Sequence, residues 1–276
     1  MTVVLRAADD LGAAAPVRAA VDALVAAGAG SGLFFDFDGV LARIQPDPES
    51  VRPMDGVVDA LAALLPKVGT VALVSARNAA FLRDRLGALP GVELHGLYGL
   101  ERIDRDGVAT VVDAARAWVE PARALLAEAV RALPGVYVED KTLSVGLHYR
   151  RAPSLRGQVE RWAAEAAGRT GFVVQPGRMA VELKPPVAVD KGTTLTALVA
   201  GLRAAWYFGD DLGDLPAFAA LRARAAADPA FHGLAVGIGN DTVVDEVRRA
   251  ADVFLTSPDL LVHLLRHLDS RLPARG

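Results

Sequence analysis

The sequence predicts an α/β protein in which a parallel-sheet core is interrupted by an inserted α+β domain, and three observations lead there. Short apolar runs at 33–37, 70–74, 205–209, 234–238 and 253–255 alternate with segments whose apolar residues recur at helical spacing, as expected of strands joined by crossover helices. Between 105 and 187 that alternation stops, and helices are followed by paired strand-like runs, the pattern of a separate α+β unit. The chain has 276 residues and is 52% hydrophobic, enough for one large core or two modest ones. The expected domains are a core of 1–104 with 188–276, and an insert of 105–187.

Each element has its own local reason. Val17, Ala20, Val21, Leu24 and Val25 mark a helix over 15–27, which the glycines from Gly28 to Gly32 end. Those glycines precede a strand, so they make a poor phosphate loop. The buried run 33–37 stops at Asp36 and Asp38, and Gly39 lets the chain turn away. Taken alone, this is equally an Asp-rich turn. Asp55 can cap a helix to about 65, and the strand 70–74 ends in Ser75-Ala76-Arg77 before a helix beginning at Asn78. A hydroxyl and a guanidinium there suit an anion, although a simple Ser or Asn cap explains them too. A strand at 92–98 and a turn at Asp104–Gly107 close the first half.

The insert reads as a helical stretch over 111–133, with Pro121 at a kink or first turn, then strands at 136–140 and 142–149. A helix over 154–168 and a hairpin of 172–175 with 179–184 across Pro176-Gly177-Arg178 follow. Pro185 and Pro186 end the insert; a helix begins at Asp190-Lys191-Gly192-Thr193, and the strand 205–209 runs into Asp210-Asp211-Leu212-Gly213-Asp214. Strands at 234–238 and 253–255, with helices over 242–250 and 259–268, complete the αβ alternation.

Composition narrows the function. A net charge of −3 gives no electrostatic case for nucleic acid. Absence of cysteine excludes disulfides and thiolate metal sites and is compatible with a cytoplasmic location. Asp9 and Asp10 stand where a signal peptide would be basic, and no apolar run reaches about 18 residues, so neither a leader nor a membrane partner is expected. A monomer acting on a small molecule is the expectation.

In a parallel sheet all strand carboxyl ends face one way, so Asp36, Asp38, Ser75, Lys191, Asp210, Asp211 and Asp214 are expected to meet at one edge. Carboxylates, a hydroxyl and an ammonium together suit a cation and a phosphate. Carboxylates alone would repel a phosphate, so Mg²⁺ is the expected cofactor. An extended chain would put Asp36 and Asp38 on the same face.

Asp36-Phe37-Asp38-Gly39-Val40-Leu41 resembles the Asp-x-Asp-Gly-Thr/Val-Leu motif of the haloacid dehalogenase (HAD) superfamily of phosphatases. Ser75-Ala76-Arg77, Lys191 and Gly209-Asp210-Asp211 with Asp214 are similar to its other three motifs, in order. The resemblance implies a HAD-like Rossmannoid core with an inserted cap of the C2B type. Within the superfamily the chain most resembles the trehalose-6-phosphate phosphatases. Gly96-Leu97-Tyr98-Gly99-Leu100-Glu101, Glu139-Asp140-Lys141 with Ser144 and His148-Tyr149-Arg150, and Arg178 through Pro185 are similar to that family's cap segments, and Val189-Asp190-Lys191-Gly192 matches its Val-Asp-Lys-Gly. Tyr98, Gly213 and Leu215 depart from the family's usual His, Thr and acid.

The resemblance implies Asp36 as nucleophile, Asp38 as acid and base, and Ser75 and Lys191 as holders of the transferring phosphoryl group. It implies Mg²⁺ on Asp36, the Asp38 carbonyl and Asp210, with Asp211 and Asp214 acting around it. Arg77, Glu139, Lys141, His148, Arg178 and Glu182 are the expected substrate-binding residues. The alternatives are a related phosphatase for sucrose phosphate or mannosyl-phosphoglycerate, or a non-catalytic regulatory domain.

Overall fold

Residues 2–45, 47–87, 89–177, 179–240 and 245–274 are described by a computed structural model. The chain begins with β1 (Val3–Leu5), α1 (Ala8–Ala13), α2 (Ala15–Ala27), β2 (Ser31–Phe35), α3 (Val57–Leu64), β3 (Thr70–Val74), α4 (Ala79–Arg85), β4 (Val92–Gly96), β5 (Glu101–Ile103) and β6 (Ala109–Val111). Next come α5 (Asp113–Arg116), α6 (Val119–Ala132), β7 (Tyr137–Asp140), β8 (Val145–His148), α7 (Arg156–Thr170), β9 (Val173–Gly177) and β10 (Ala180–Lys184). The last stretch comprises α8 (Lys191–Val199), β11 (Ala204–Gly209), α9 (Leu215–Ala227), β12 (His232–Ile238), α10 (Asp245–Ala250), β13 (Val253–Leu255) and α11 (Asp259–Arg271). Packing divides the chain into Met1–Thr110 with Val189–Gly276, and Val111–Ala188.

The first unit is built on a sheet of strand order β1-β13-β12-β11-β2-β3-β4-β5-β6. Pairing is parallel from β1 through β4, while β5 runs antiparallel to β4. Successive residues of a strand face opposite sides, so a strand covered on both sides must be apolar throughout. Phe35, Leu73, Trp206 and Phe208 pack with α2, α3 and α11, whereas Phe34, Ala72, Tyr207 and Ala235 pack with α8 and α9. Phe35 and Phe208 stack across the β2–β11 pair at 4.6 Å. This pair is also where the strand order reverses: β3 and β4 follow β2 outward, and β12 and β13 follow β11 the other way. An open α/β sheet has its crevice at such a switch point.

The second unit is a sheet of order β7-β8-β10-β9, antiparallel throughout. Its apolar face, including Val145, Leu147, Val181 and Leu183, packs on Ala122, Leu125 and Ala129 of α6 and Val159, Ala163 and Ala166 of α7. Trp118 meets Phe172 edge-on at 4.9 Å to extend that core. Pro121 lies in the first turn of α6, where its missing N–H costs nothing.

The structure departs from the sequence reading where elements are short. β1, β5 and β6 have three residues each, too few to show a period. The large sheet continues through β5 and β6, so it reaches past the turn at Asp104. The helix expected over 111–133 is two, because Ala117 and Trp118 separate α5 from α6. The start of the helix expected at 242 lies outside the described residues.

On β4, Glu93 is buried with His95 3.5 Å away and donors from Arg102 and Arg105 at 2.9 and 3.2 Å. His95 beside it, followed by the Arg105 and Arg102 guanidiniums, holds the Glu93 carboxyl down at about 2 against an ordinary 4.5. A depressed carboxylate stabilises the fold above its unfolded pKa and loses that contribution as pH falls through its folded value. Glu93→Gln is therefore expected to cost about 1–3 kcal/mol at pH 7. In denaturant titrations the gap to the parent protein should shrink between pH 4.5 and 2; a gap independent of pH would contradict this account.

Candidate active site

Asp36 follows β2 at the switch point, and its backbone N–H still donates to the Phe208 carbonyl at 2.9 Å. The strand then ends. Phe37 O accepts from the N–H groups of Leu41 and Ala42, both at 3.0 Å, and Gly39 N donates to Ala42 O at 2.7 Å. Asp36 and Asp38 therefore stand beyond the end of β2 and in the turn that follows it, rather than within an extended strand as expected. Asp36 Oδ2 lies 3.0 Å from Lys191 Nζ, while Asp38 receives Arg77 Nε and Nη2 at 2.8 and 2.9 Å.

Arg77, expected to bind substrate, stands beside Asp38. Its Nε and Nη2 contacts to Asp38 suit the holding of that carboxylate, and its guanidinium lies 4.5 Å over the Phe81 ring. Ser75 is buried at the end of β3, and its Oγ accepts the Arg77 N–H at 3.3 Å. Asn78 caps α4 as expected, accepting from Phe81 N at 2.7 Å.

Lys191 is the first residue of α8, whose end is fixed reciprocally: Asp190 Oδ1 accepts from Thr193 N at 2.7 Å, and Thr193 Oγ1 accepts from Asp190 N at 3.0 Å. Its side chain is 3% exposed, a costly place for an unpaired charge. Burial pulls the Lys191 pKa down, but the Asp214 and Asp36 carboxylates outweigh it and leave the ammonium well above its ordinary value.

Asp214 is fully buried and uses both oxygens. Oδ1 accepts from Lys191 Nζ at 2.6 Å and Tyr207 Oη at 2.7 Å, and Oδ2 accepts from the backbone N–H groups of Asp210 and Asp211 at 2.9 and 3.1 Å. It therefore fixes both the lysine and the loop after β11. Burial and the Asp214 carboxylate hold the Tyr207 hydroxyl well above the usual phenol range, so it remains a donor. Asp211, expected near a metal, turns back to accept from Gly213 N at 2.8 Å.

Carboxylate oxygens of Asp36, Asp210 and Asp214 lie within 4.8 Å of one another. Asp210 Oδ2 accepts from Asn240 Nδ2 at 2.6 Å, but its buried Oδ1 has no hydrogen-bond partner. Burial pushes the Asp36 carboxyl up to about 8, Lys191 opposes the rise, and Asp214, Asp211 and Asp38 add to it. Burial and then Asp214 raise Asp210 as well. Crowded carboxylates with one orphaned oxygen form a donor set suited to a hard divalent cation, and Mg²⁺ fits it.

In the second unit, Glu139, Gly146, Glu182 and Gln175 lie in register across β7, β8, β10 and β9. Lys141 Nζ is 2.9 Å from Glu182 Oε2 and 3.9 Å from Glu139 Oε2. Ser144 Oγ donates to Glu182 Oε1 at 2.7 Å, and His148 Nε2 stands 2.8 Å from Glu139 Oε2. A Cβ on Gly146 would sit 3.0 Å from both Glu139 Oε2 and His148 Nε2, so the glycine leaves room for that pair. Glu139, Lys141, His148 and Glu182 therefore form one polar network; Arg178 lies outside the described residues.

Tyr207 and Asn240 were not singled out from sequence. A tyrosine inside an apolar strand looks like core. Asn240 had a legible signal, since it follows an apolar strand as Asp36 and Asp210 do.

A family model described as trehalose-phosphatase matches residues 34–259. The trehalose-phosphate phosphatase of Mycobacterium marinum is 35% identical over 274 residues, covering 92% of this chain and 67% of that protein. Among solved structures, the C-terminal domain of Candida albicans trehalose-6-phosphate phosphatase aligns with a TM-score of 0.73 at 22% identity, over 98% of either chain. A haloacid dehalogenase-like hydrolase from Bacteroides thetaiotaomicron aligns with a TM-score of 0.60 at 16% identity, over 86% of this chain and 98% of that one. At such identities the structures speak for the fold, which is HAD-like α/β.

Gly39 has φ +84°, and a Cβ there would lie 2.1 Å from Asp210 Oδ2. Gly39→Ala is expected to cost about 1–3 kcal/mol in denaturant unfolding, from left-handed backbone strain and displacement of Asp210. An unchanged midpoint would show that Asp210 yields freely.

Proposed function

The chain belongs to the trehalose-phosphatase family, and from that membership we propose that it hydrolyses trehalose 6-phosphate to trehalose and phosphate by Mg²⁺-dependent transfer through Asp36. The observation that carries this reading is the joint placement of Asp36, Lys191 and the orphaned Asp210 oxygen at the switch point. A nucleophilic carboxylate, a phosphoryl-binding cation and an unsatisfied metal donor are what phosphoryl transfer by an aspartate needs.

Asp36 attacks phosphorus, and the bond from phosphorus to the sugar oxygen breaks. Asp38 gives that oxygen its proton and then removes one from the water that cleaves the aspartyl-phosphate, releasing phosphate and restoring Asp36. Arg77 aims Asp38 through its two-point contact. Lys191 and the Ser75 hydroxyl hold phosphoryl oxygens, and Asp214 keeps Lys191 in place. Asp36, Asp210 and the Asp38 carbonyl would hold Mg²⁺, which when bound offsets the negative charge of carboxylate and phosphate.

The polar network of Glu139, Lys141, Ser144, His148 and Glu182 has both donors and acceptors, as sugar hydroxyls require. We assign it sugar recognition. The protein is taken to act as a monomer in the cytoplasm, in keeping with a small soluble substrate; no helix among the described residues is long and apolar enough to cross a membrane.

Phosphate release from a panel of sugar phosphates, with and without Mg²⁺, tests the reading. Trehalose 6-phosphate should be preferred, and chelation should abolish turnover. Preference for sucrose phosphate or mannosyl-phosphoglycerate would replace the substrate assigned here. Asp36→Asn should lower kcat by at least about 10³-fold, and an unchanged rate would remove the nucleophile. Glu182→Gln should lower kcat/KM for trehalose 6-phosphate about 10-fold or more while leaving p-nitrophenyl phosphate nearly unaffected. Equal losses on both esters would deny it a part in sugar recognition.

A further inference from the structure

The turn Leu97–Gly99 joins β4 to β5 in an unusual backbone. Leu97 and Tyr98, neither a glycine, have φ +49° and +64°, and Gly99 has φ +113°. Left-handed backbone at consecutive side-chain-bearing residues costs energy and persists only where surrounding contacts enforce it. The contacts are these. Leu97 N donates to Arg77 O and Tyr98 N to Ser75 O, each at 2.8 Å, while Ser75 N donates to His95 O at 3.0 Å. Glu101, just beyond the turn, accepts the Ala79 N–H at 2.9 Å. On the other side, Thr194 Oγ1 donates to the Tyr98 carbonyl at 2.6 Å. A Cβ on Gly99 would lie 2.1 Å from that hydroxyl, and one on Gly96 would lie 2.3 Å from Ala79 N.

The turn therefore grips two pieces of the site that are remote in sequence. One is the Ser75–Arg77 loop, held by backbone hydrogen bonds. The other is α8, held through Thr194, which stands three residues after Lys191 and so on the same helix face. We propose that the Leu97–Gly99 turn is a bracket setting the separation of the two phosphoryl-holding groups, Ser75 and Lys191, and that Thr194 is the positioning residue that ties Lys191's helix to it. Thr194 touches no reacting atom; it acts through the Tyr98 carbonyl. The strain in Leu97 and Tyr98 follows from this task, because their N–H groups must face the Ser75 loop while the Tyr98 carbonyl faces α8. The bracket rests on the phosphatase reading above, but its geometry concerns phosphate binding, which is measurable without turnover.

The test compares Thr194→Val, which keeps the shape and loses the hydroxyl, with Thr194→Ser, which keeps the hydroxyl. In Mg²⁺-containing buffer, calorimetric binding of inorganic phosphate should weaken about 10-fold in Thr194→Val and stay within about twofold of the parent in Thr194→Ser. The kcat values for trehalose 6-phosphate and p-nitrophenyl phosphate should fall together in the valine variant and recover in the serine variant. Thr194→Ala serves the same comparison should the valine variant not fold. Phosphate affinity within twofold of the parent in the hydroxyl-less variant overturns the bracket, whatever turnover does. A serine variant as impaired as the valine one overturns Thr194 as its tie. If the parent hydrolyses no ester yet phosphate binding follows the hydroxyl, the proposed function fails and the bracket stands. No phosphate binding by the parent overturns the bracket, while the ester panel alone decides the proposed function.

Discussion

The structure turns on one buried ammonium between two carboxylates. Lys191 has almost no access to water, and Asp36 and Asp214 lie 3.0 and 2.6 Å away. A charge so placed is tolerable only when paired and further hydrogen-bonded. Asp214 meets that requirement by accepting from Tyr207 and two backbone N–H groups as well. These contacts require close approach of three chain segments, and glycines permit it. A Cβ at Gly209 would lie 2.4 Å from Asp214, and one at Gly192 would lie 2.6 Å from the Pro216 carbonyl. The ion network and tight backbone packing are therefore one constraint.

Around that network the large sheet divides its work by direction. Its two faces are apolar and carry the stability, and its carboxyl edge carries the charge. Because β2 and β11 are neighbours with crossovers leaving in opposite directions, Asp36 and Asp210 come together without a long loop. Among the described residues there, buried Asp210 Oδ1 has no hydrogen-bond partner, which suits a cation. The sheet of the second unit is organised differently. One face is core, and the other carries Glu139, Lys141, Ser144, His148 and Glu182 paired among themselves. Those mutual hydrogen bonds fix the side chains in place on that face.

Much of the core was legible in sequence because a strand buried on both faces must be apolar throughout. The runs around Phe34, Ala72 and Phe208 announced themselves, as did the acids that end two of them. The cap on α4 at Asn78 was legible for a local reason, since an N-cap acts on N–H groups two or three residues away, whereas at α3 Gly56 and not Asp55 holds the cap position. The short strands β1, β5 and β6 were not legible, because their existence depends on pairing with distant neighbours. Tyr207 was hidden for the opposite reason: its ring belongs to the core, and only its hydroxyl belongs to the site.

By itself the sequence determined which side chains stand at strand ends, because hydrophobic period and capping are local. It thereby identified the carboxylates and the lysine, and its motifs placed the chain among phosphatases. Only the tertiary structure decided the pairings. Arg77 meets Asp38, Lys191 is shared by Asp36 and Asp214, and Asp211 turns back into its own loop. The reason is physical: each donor had several acceptors within sequence reach, and the choice among them was made by which backbones could approach closely enough to exclude water.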